Sequence, residues 1–100
     1  MAEHDLEPIT PGEILAHEFM EPLGLDESQL ARELDLPTRR ISDILQGKAG
    51  VTADVALRLE KYFGASAQFW LNLQSRYDLK IARRDVGPSI QATVRSRRSA

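Results

Sequence analysis

The sequence predicts an all-α domain of five helices, and three observations carry that expectation. Apolar residues recur at spacings of three and four, with no strand-like alternation anywhere. Thr, Asp or Ser stands ahead of most apolar runs, where a side-chain oxygen can receive the free amides of a first helical turn. Gly or Pro follows the runs, where a helix must stop. Composition sets the scale, since 100 residues at 42% hydrophobic content suffice for one small core and not for two.

The first helix starts at Pro11, with Thr10 as its N-cap and Glu13 completing a capping box. It is expected to run to about Glu21 and to bury Leu15 and Phe19, until "EPLG" stops it. Asp26 caps the second helix, "ESQLAREL", whose inner stripe is Leu30, Ala31 and Leu34. The third spans Thr38 to Leu45, with Ile41, Ile44 and Leu45 inward, Arg39, Arg40 and Asp43 outward, and Gly47 as the C-terminal stop. Thr52 caps the fourth, "ADVALRLEKYF", where Val55, Leu59 and Phe63 share a face with Ala56 and Tyr62 beside it, and Gly64 ends it. Ser66 caps a long fifth helix. Its stripe is Phe69, Leu73, Tyr77 and Ile81, with Trp70 and Leu71 on another side, and it ends at Gly87 and Pro88. The chain thus divides into an acidic arm over residues 1–9, a domain over 10–85, and a mobile basic tail over 86–100 that is too polar to pack alone.

Several functions are excluded by what the chain lacks. Without cysteine there is no disulfide framework and no Cys-based zinc site. The opening "MAEHDLEPITPGE" is unlike a targeting peptide, and no apolar run approaches the eighteen or so residues of a membrane span, so a soluble cytoplasmic protein is expected. No Ser-His-Asp order, glycine-rich phosphate loop or Cys-His pair points to an enzyme, and no cofactor is implied. His17 and Glu21 share a helix face at a spacing a metal could use, but with no third ligand the pair reads as a solvated face.

The net charge of -2 conceals a strong asymmetry. Residues 1–35 carry ten acids against the single base Arg32, whereas residues 83–100 carry five arginines against Asp85. Two ends of such opposite sign favour different partners, although the charges could also neutralise one another within the folded domain.

The basic pair Arg39-Arg40 lies at the start of the third helix, and only Leu34 to Pro37 separates it from the second. So short a link makes a helix-turn-helix, in which the second helix enters the DNA major groove with its N-terminal residues at the base edges. Arginine can grip guanine bidentately, while Thr, Ser and Asp make shorter base-edge contacts. Arg39 and Arg40 are therefore the leading base contacts and Thr38, Ser42 and Asp43 the secondary ones. Gln29, Lys48 and the first amides of the second and third helices are phosphate candidates. The plainer alternative is a solvated helix face with arginines for solubility.

The segment "SQLARELDLPTRRISDILQGKAGVTADVALRLEKYFG" resembles the phage-repressor (Xre/Cro) helix-turn-helix family in length and spacing. With "PGEILAHEFMEPLGL" before it and "FWLNLQSRYDLKIAR" after it, the likeness narrows to the HigA antitoxins and covers roughly residues 8–84. The chain departs from the wider family at Asp35, where the turn commonly has glycine, and at Pro37, where a Ser or Thr cap is usual. The resemblance implies a phage-repressor-like fold with a long C-terminal helix, and a homodimeric repressor of its own operon. It also implies neutralisation of a HigB-like toxin, a messenger-RNA endonuclease expected to be basic around its RNA site, which the acidic N-terminal segment could meet. Phe69, Trp70, Leu71, Leu73 and Tyr77 exceed what a four-helix core should need and are the candidate dimer interface, with pure core as the competing reading. A stand-alone transcription regulator without a toxin is the alternative function.

Overall fold

The structure, a computed structural model, describes residues 8–97. Most of the expected acidic arm and the last residues of the tail therefore lie outside the described residues. Among those described, every element is helical.

The first helical segment, α1, begins as Pro11–Ile14, continues with wider π-helical turns over Leu15–Met20 and closes as a 3₁₀ turn over Glu21–Leu23. Its capping box forms as expected, with the Glu13 amide donating to Thr10 Oγ1 at 3.1 Å and the Thr10 amide to Glu13 Oε1 at 3.3 Å. The uniform helix from Pro11 to Glu21 does not. Hydrogen bonds from i+5 to i bring residues five apart onto one side, so Met20 joins Leu15 in the core and Phe19 is only half-buried. Gly24, at φ +66°, then turns the chain toward α2.

The next three helices have the expected bounds: α2 is Glu27–Leu34, α3 is Thr38–Leu45 and α4 is Ala53–Phe63. Leu30, Ala31 and Leu34 of α2, Ile41 and Ile44 of α3, and Val55, Ala56 and Leu59 of α4 make one core with Leu15, Met20, Val51 and Trp70. Ala31 is 1% exposed, as a small residue must be where α2 and α3 pack against each other.

The long helix α5 spans Ala67–Asp85, capped by Ser66, whose Oγ accepts the Phe69 amide at 3.0 Å. Its inward face differs from the expected one. Trp70 is completely buried and anchors the helix, whereas Phe69 is 38% exposed. The inner stripe runs from Trp70 through the half-buried Leu73, Tyr77 and Ile81, so it begins one residue later than the even four-residue pattern suggests. The Trp70 ring packs against Phe19 and Phe69 at centroid distances of 4.8 and 5.1 Å. Trp70 is thus a core residue and is withdrawn from the dimer-interface candidates. A second correction concerns the tail. Gly87–Thr93 form a sixth helix, α6, entered through Pro88 near its start, where a missing amide costs nothing. None of its residues is buried, which is why apolar content alone gave no sign of it.

Among the glycines described, the closest approach to a neighbouring backbone is that of Gly12 in α1 to α3. Gly12 is buried so close to the end of α3 that a Cβ would overlap the Ile44 carbonyl oxygen and stand 2.9 Å from Leu45 Cα. Both obstacles are backbone and cannot swing aside. Gly12→Ala should therefore destabilise the fold by about 3 kcal/mol, the upper part of the range for overpacking. Gly24→Ala, left-handed but with nothing within 4 Å of its Cβ, should cost only about 1–2 kcal/mol. Urea unfolding of the two variants tests this, and a Gly12→Ala loss no larger than that of Gly24→Ala would refute the close approach.

Candidate nucleic-acid interface

The link between α2 and α3 is built from backbone bonds that close one helix and aim the next. The Leu36 amide donates to the Ala31 carbonyl at 2.9 Å and the Asp35 amide to that of Arg32 at 3.2 Å, the paired bonds of a Schellman stop. Asp35 takes the left-handed position, at φ +58°, and is the one non-glycine residue among those described with positive φ. Aspartate bears that conformation better than most L-residues, so the sequence departs from glycine here without losing the turn. Pro37 occupies the cap of α3 in extended conformation and offers no side-chain hydrogen bond, but its carbonyl accepts the Arg40 amide at 3.0 Å.

A residue outside the motif braces this turn. Arg58 of α4 donates from Nη1 to the Leu34 carbonyl at 2.8 Å and to that of Asp35 at 3.2 Å, while its Nε pairs with Asp54 one turn earlier. The Arg58 hydrogen bond holds the Asp54 carboxyl below the usual carboxylate range against the opposing effect of desolvation, and the Arg58 and Arg40 charges add to the lowering. Asp54 in turn raises the Arg58 guanidinium. Sequence reading missed Arg58. The four-residue spacing from Asp54 is the one local signal of a partner, and nothing local reveals that the guanidinium also reaches the C-terminal end of α2.

On α3 itself, Ile41 and Ile44 face the core and the opposite crest faces out. Arg39 leads that crest, its side chain 88% exposed and 4.0 Å from Asp43 across one turn. Ser42 and Asp43 are half-buried, Thr38 is exposed, and Gln46, just past the helix, donates from Nε2 to Ser42 Oγ at 3.1 Å. Gln46 was not among the expected contacts, though its four-residue offset from Ser42 places it on the same side. Arg40 differs from the expectation of a fully outward residue. It is half-buried, on the flank of α3 whose charge is felt by Asp54.

The remaining candidates surround this crest unevenly. Gln29 is exposed, but its Oε1 accepts the Asp26 amide at 2.9 Å in a reciprocal capping box, leaving only the amide NH₂ to donate elsewhere. Lys48 is exposed in the loop after α3, which Gly47 turns at φ +77° and the Asp43 carbonyl fastens by accepting the amides of Lys48 at 2.8 Å and Ala49 at 3.1 Å. His17 and Glu21 form an exposed pair at 2.8 Å, and no group of three metal-ligating side chains stands together among the described residues. No helix among those residues is long and apolar enough to cross a membrane. Of the expected interface residues of α5, Phe69 is exposed and Leu71, Leu73 and Tyr77 are half-buried.

A family model described as helix-turn-helix matches residues 17–70. Among solved structures, the chain is similar to an addiction-module antidote protein of a HigA family from Coxiella burnetii, at 47% identity and a TM-score of 0.85, covering 90% of this chain and 98% of that one. It is also similar to Pseudomonas aeruginosa antitoxin HigA with the higBA promoter, at 41% identity and a TM-score of 0.88, covering 91% of this chain and 99% of that one. A curated relative, virulence-associated protein I of Dichelobacter nodosus, is 47% identical over 83% of this chain and 77% of its own length.

The Arg58 brace makes the turn sensitive to acid. Because Asp54 ionises more readily in the folded chain, its contribution to stability is fully present above its unfolded value, about 4, and is lost as pH falls through the lower folded value. Asp54→Asn should lower the urea midpoint at pH 7 and flatten the decline of stability on acidification below pH 4. An unchanged acid profile in that variant would remove Asp54 from the brace.

Proposed function

The chain belongs to the phage-repressor helix-turn-helix family, one of DNA-binding regulators and not of enzymes, and within it to the HigA antitoxins. On that premise we propose that it represses its own operon as a homodimer and neutralises a HigB-like toxin. The observation that carries the DNA-binding reading is the crest of α3, with Arg39 leading and Ser42, Asp43 and Gln46 behind it on a helix fastened at both ends. It is supported by the relative solved with its promoter. Two such crests in a dimer would meet successive major grooves roughly 34 Å apart on a near-palindromic site.

Within that mode the side chains divide by chemistry. Arg39 offers a planar fork to guanine, and Gln46 an amide suited to adenine. Arg40, half-buried on the flank of α3, is better placed for a flanking base or a phosphate than for the centre of the groove. Lys48 and the amides opening α2 and α3 hold phosphates. Arg39→Ala should cost about 1–3 kcal/mol on a duplex spanning the promoter of the chain's own operon and much less on random duplex, whereas Lys48→Ala should weaken both alike and lower the salt slope by about one. Equal losses for Arg39→Ala on the two duplexes would reassign it to phosphate.

With Trp70 in the core, the dimer is assigned to the outer face of α5 and to α6. Phe69 and Leu79 are exposed on α5, and Val86, Ile90 and Val94 recur every four residues with 45%, 50% and 65% of their surface in water. Ile90→Asp should give a folded monomer at micromolar concentration by light scattering, and operator affinity should fall far more than per-site affinity, because two linked half-sites gain effective concentration. A variant that remains dimeric places the interface elsewhere.

The toxin is assigned to the acidic side of the domain. Glu18 and Glu21 are exposed on α1 and Glu33 on α2, whereas Glu13 is engaged in its cap. An anionic surface beside a DNA-reading helix opposes phosphate approach and suits a basic partner, which it would attract by long-range steering. Replacing Glu18, Glu21 and Glu33 together by Gln should slow association with the toxin encoded beside this chain and blunt its salt dependence while leaving operator affinity intact. An unchanged on-rate would move the toxin to another face.

A further inference from the structure

The loop that carries Lys48 is fastened from two sides. The Asp43 carbonyl holds its beginning, and a side chain from a distant element holds its end. The Val51 amide, at the junction of loop and core, donates to Gln74 Oε1 of α5 at 2.7 Å. Gln74 Nε2 donates in turn to Asp78 Oδ1, one turn along the same helix, at 3.0 Å. These two bonds agree on which end of the amide is oxygen, since the Val51 N–H can only donate and a carboxylate only accept. Gln74 also lies against Gly50, where a Cβ would stand 3.0 Å from the Gln74 amide carbon, so the end of the side chain packs closely on the loop. The same amide lines a cavity of about 190 Å³ together with Thr10, Gly47, Lys48 and Tyr77, where α1, the loop and α5 converge.

We propose that Gln74 is the positioning residue that sets the Lys48 loop for DNA, by receiving the Val51 amide from a helix that does not itself touch the groove. The proposal rests on the DNA-binding reading and deepens it. The exposed tip of the loop, Gly47 and Lys48, is held only by what fastens the residues on either side of it, and a cation that must meet a phosphate is only as well placed as its backbone. Gln74 is half-buried and belongs to the helix whose outer face is assigned to the dimer. The phosphate contact is thereby referred to the same rigid body that spaces the two half-sites. Asp78 orients the amide so that its oxygen, not its nitrogen, faces Val51.

The test uses the full chain, Gln74→Leu, Gln74→Glu, and the double variant Gln74→Glu with Asp78→Asn, reading Val51 amide hydrogen exchange and binding to a duplex spanning the operon's promoter at several salt concentrations. Gln74→Leu should speed Val51 exchange and weaken operator binding, each about tenfold, and lower the salt slope by about one as Lys48 leaves its phosphate. Gln74→Glu alone sets two carboxylates against each other and should bind less well than the double variant. In the double variant the introduced carboxylate accepts both from Val51 and from the amide introduced at position 78, so binding, slope and exchange should all return toward those of the unsubstituted chain. A role confined to general stability would leave the salt slope unchanged in every variant, because the slope counts phosphate contacts and not the folded fraction. Faster exchange in Gln74→Leu with operator affinity and slope unchanged overturns the proposal, as does failure of the double variant to improve on Gln74→Glu. Should Gln74→Leu not fold, that second comparison decides alone. If the unsubstituted chain fails to bind its promoter, the DNA-binding reading falls and takes this one with it. If it binds and Gln74→Leu binds equally well, only the role of Gln74 is lost.

Discussion

An eight-residue helix cannot persist on its own hydrogen bonds, since isolated helices below about 12–15 residues are marginal in water, and α3 is such a helix. Everything assigned to DNA recognition depends on its being held by other elements. Ile41 and Ile44 supply the buried anchor, but two side chains fix neither rotation nor tilt. The ends do that. Gly12 brings the backbone of α1 directly against Ile44 and Leu45, and Arg58 ties the carbonyls of Leu34 and Asp35 at the entrance. A change of crest angle would have to break a backbone contact at one end or a charged hydrogen bond at the other.

The arrangement of charge follows from the same scaffold. Asp54 balances Arg58 and at the same time lies within the field of Arg40, so the brace that fixes the turn and the flank of α3 share one electrostatic environment. Arg39 has only the longer contact to Asp43 and remains extended toward solvent. Two neighbouring residues of one type thus acquire different work, because successive side chains on a helix stand about 100° apart and face different surroundings.

Much of the fold was legible because its signals are local. Thr10, Asp26, Thr52 and Ser66 all accept a backbone amide where a cap was expected, and α2, α3 and α4 have the anticipated bounds. The candidate site was legible where it depended on helical period, as with Arg39 outside and Ile41 inside. What stayed hidden was decided by contact across the molecule. The i+5 register that carries Met20 inward suits a core that Trp70 completes, and the rotation of α5 that buries Trp70 instead of Phe69 depends on where Phe19 stands. Gly12, Arg58 and Gln74 resemble ordinary helix residues until their partners, 23 to 32 positions away in the chain, are seen beside them. The helix α6 buries nothing, so no core pattern announced it.

Trp70 shows how strongly packing rules this small core. Its indole N–H is buried without a partner among the described residues, a defect worth roughly 1–3 kcal/mol. Burying an aromatic surface of about 150–250 Å² at about 25 cal/mol per Å² returns roughly 4–6 kcal/mol, so the side chain is favourable even with its donor unpaired. That margin lets α5 be fixed by its first turns alone, through Trp70, while the rest of the helix carries polar and partly exposed residues outward. A helix anchored at one end in this way can serve two ends at once. Near the anchor, Gln74 reaches the DNA-side loop, and beyond it α5 and α6 offer apolar surface that the monomer leaves in water.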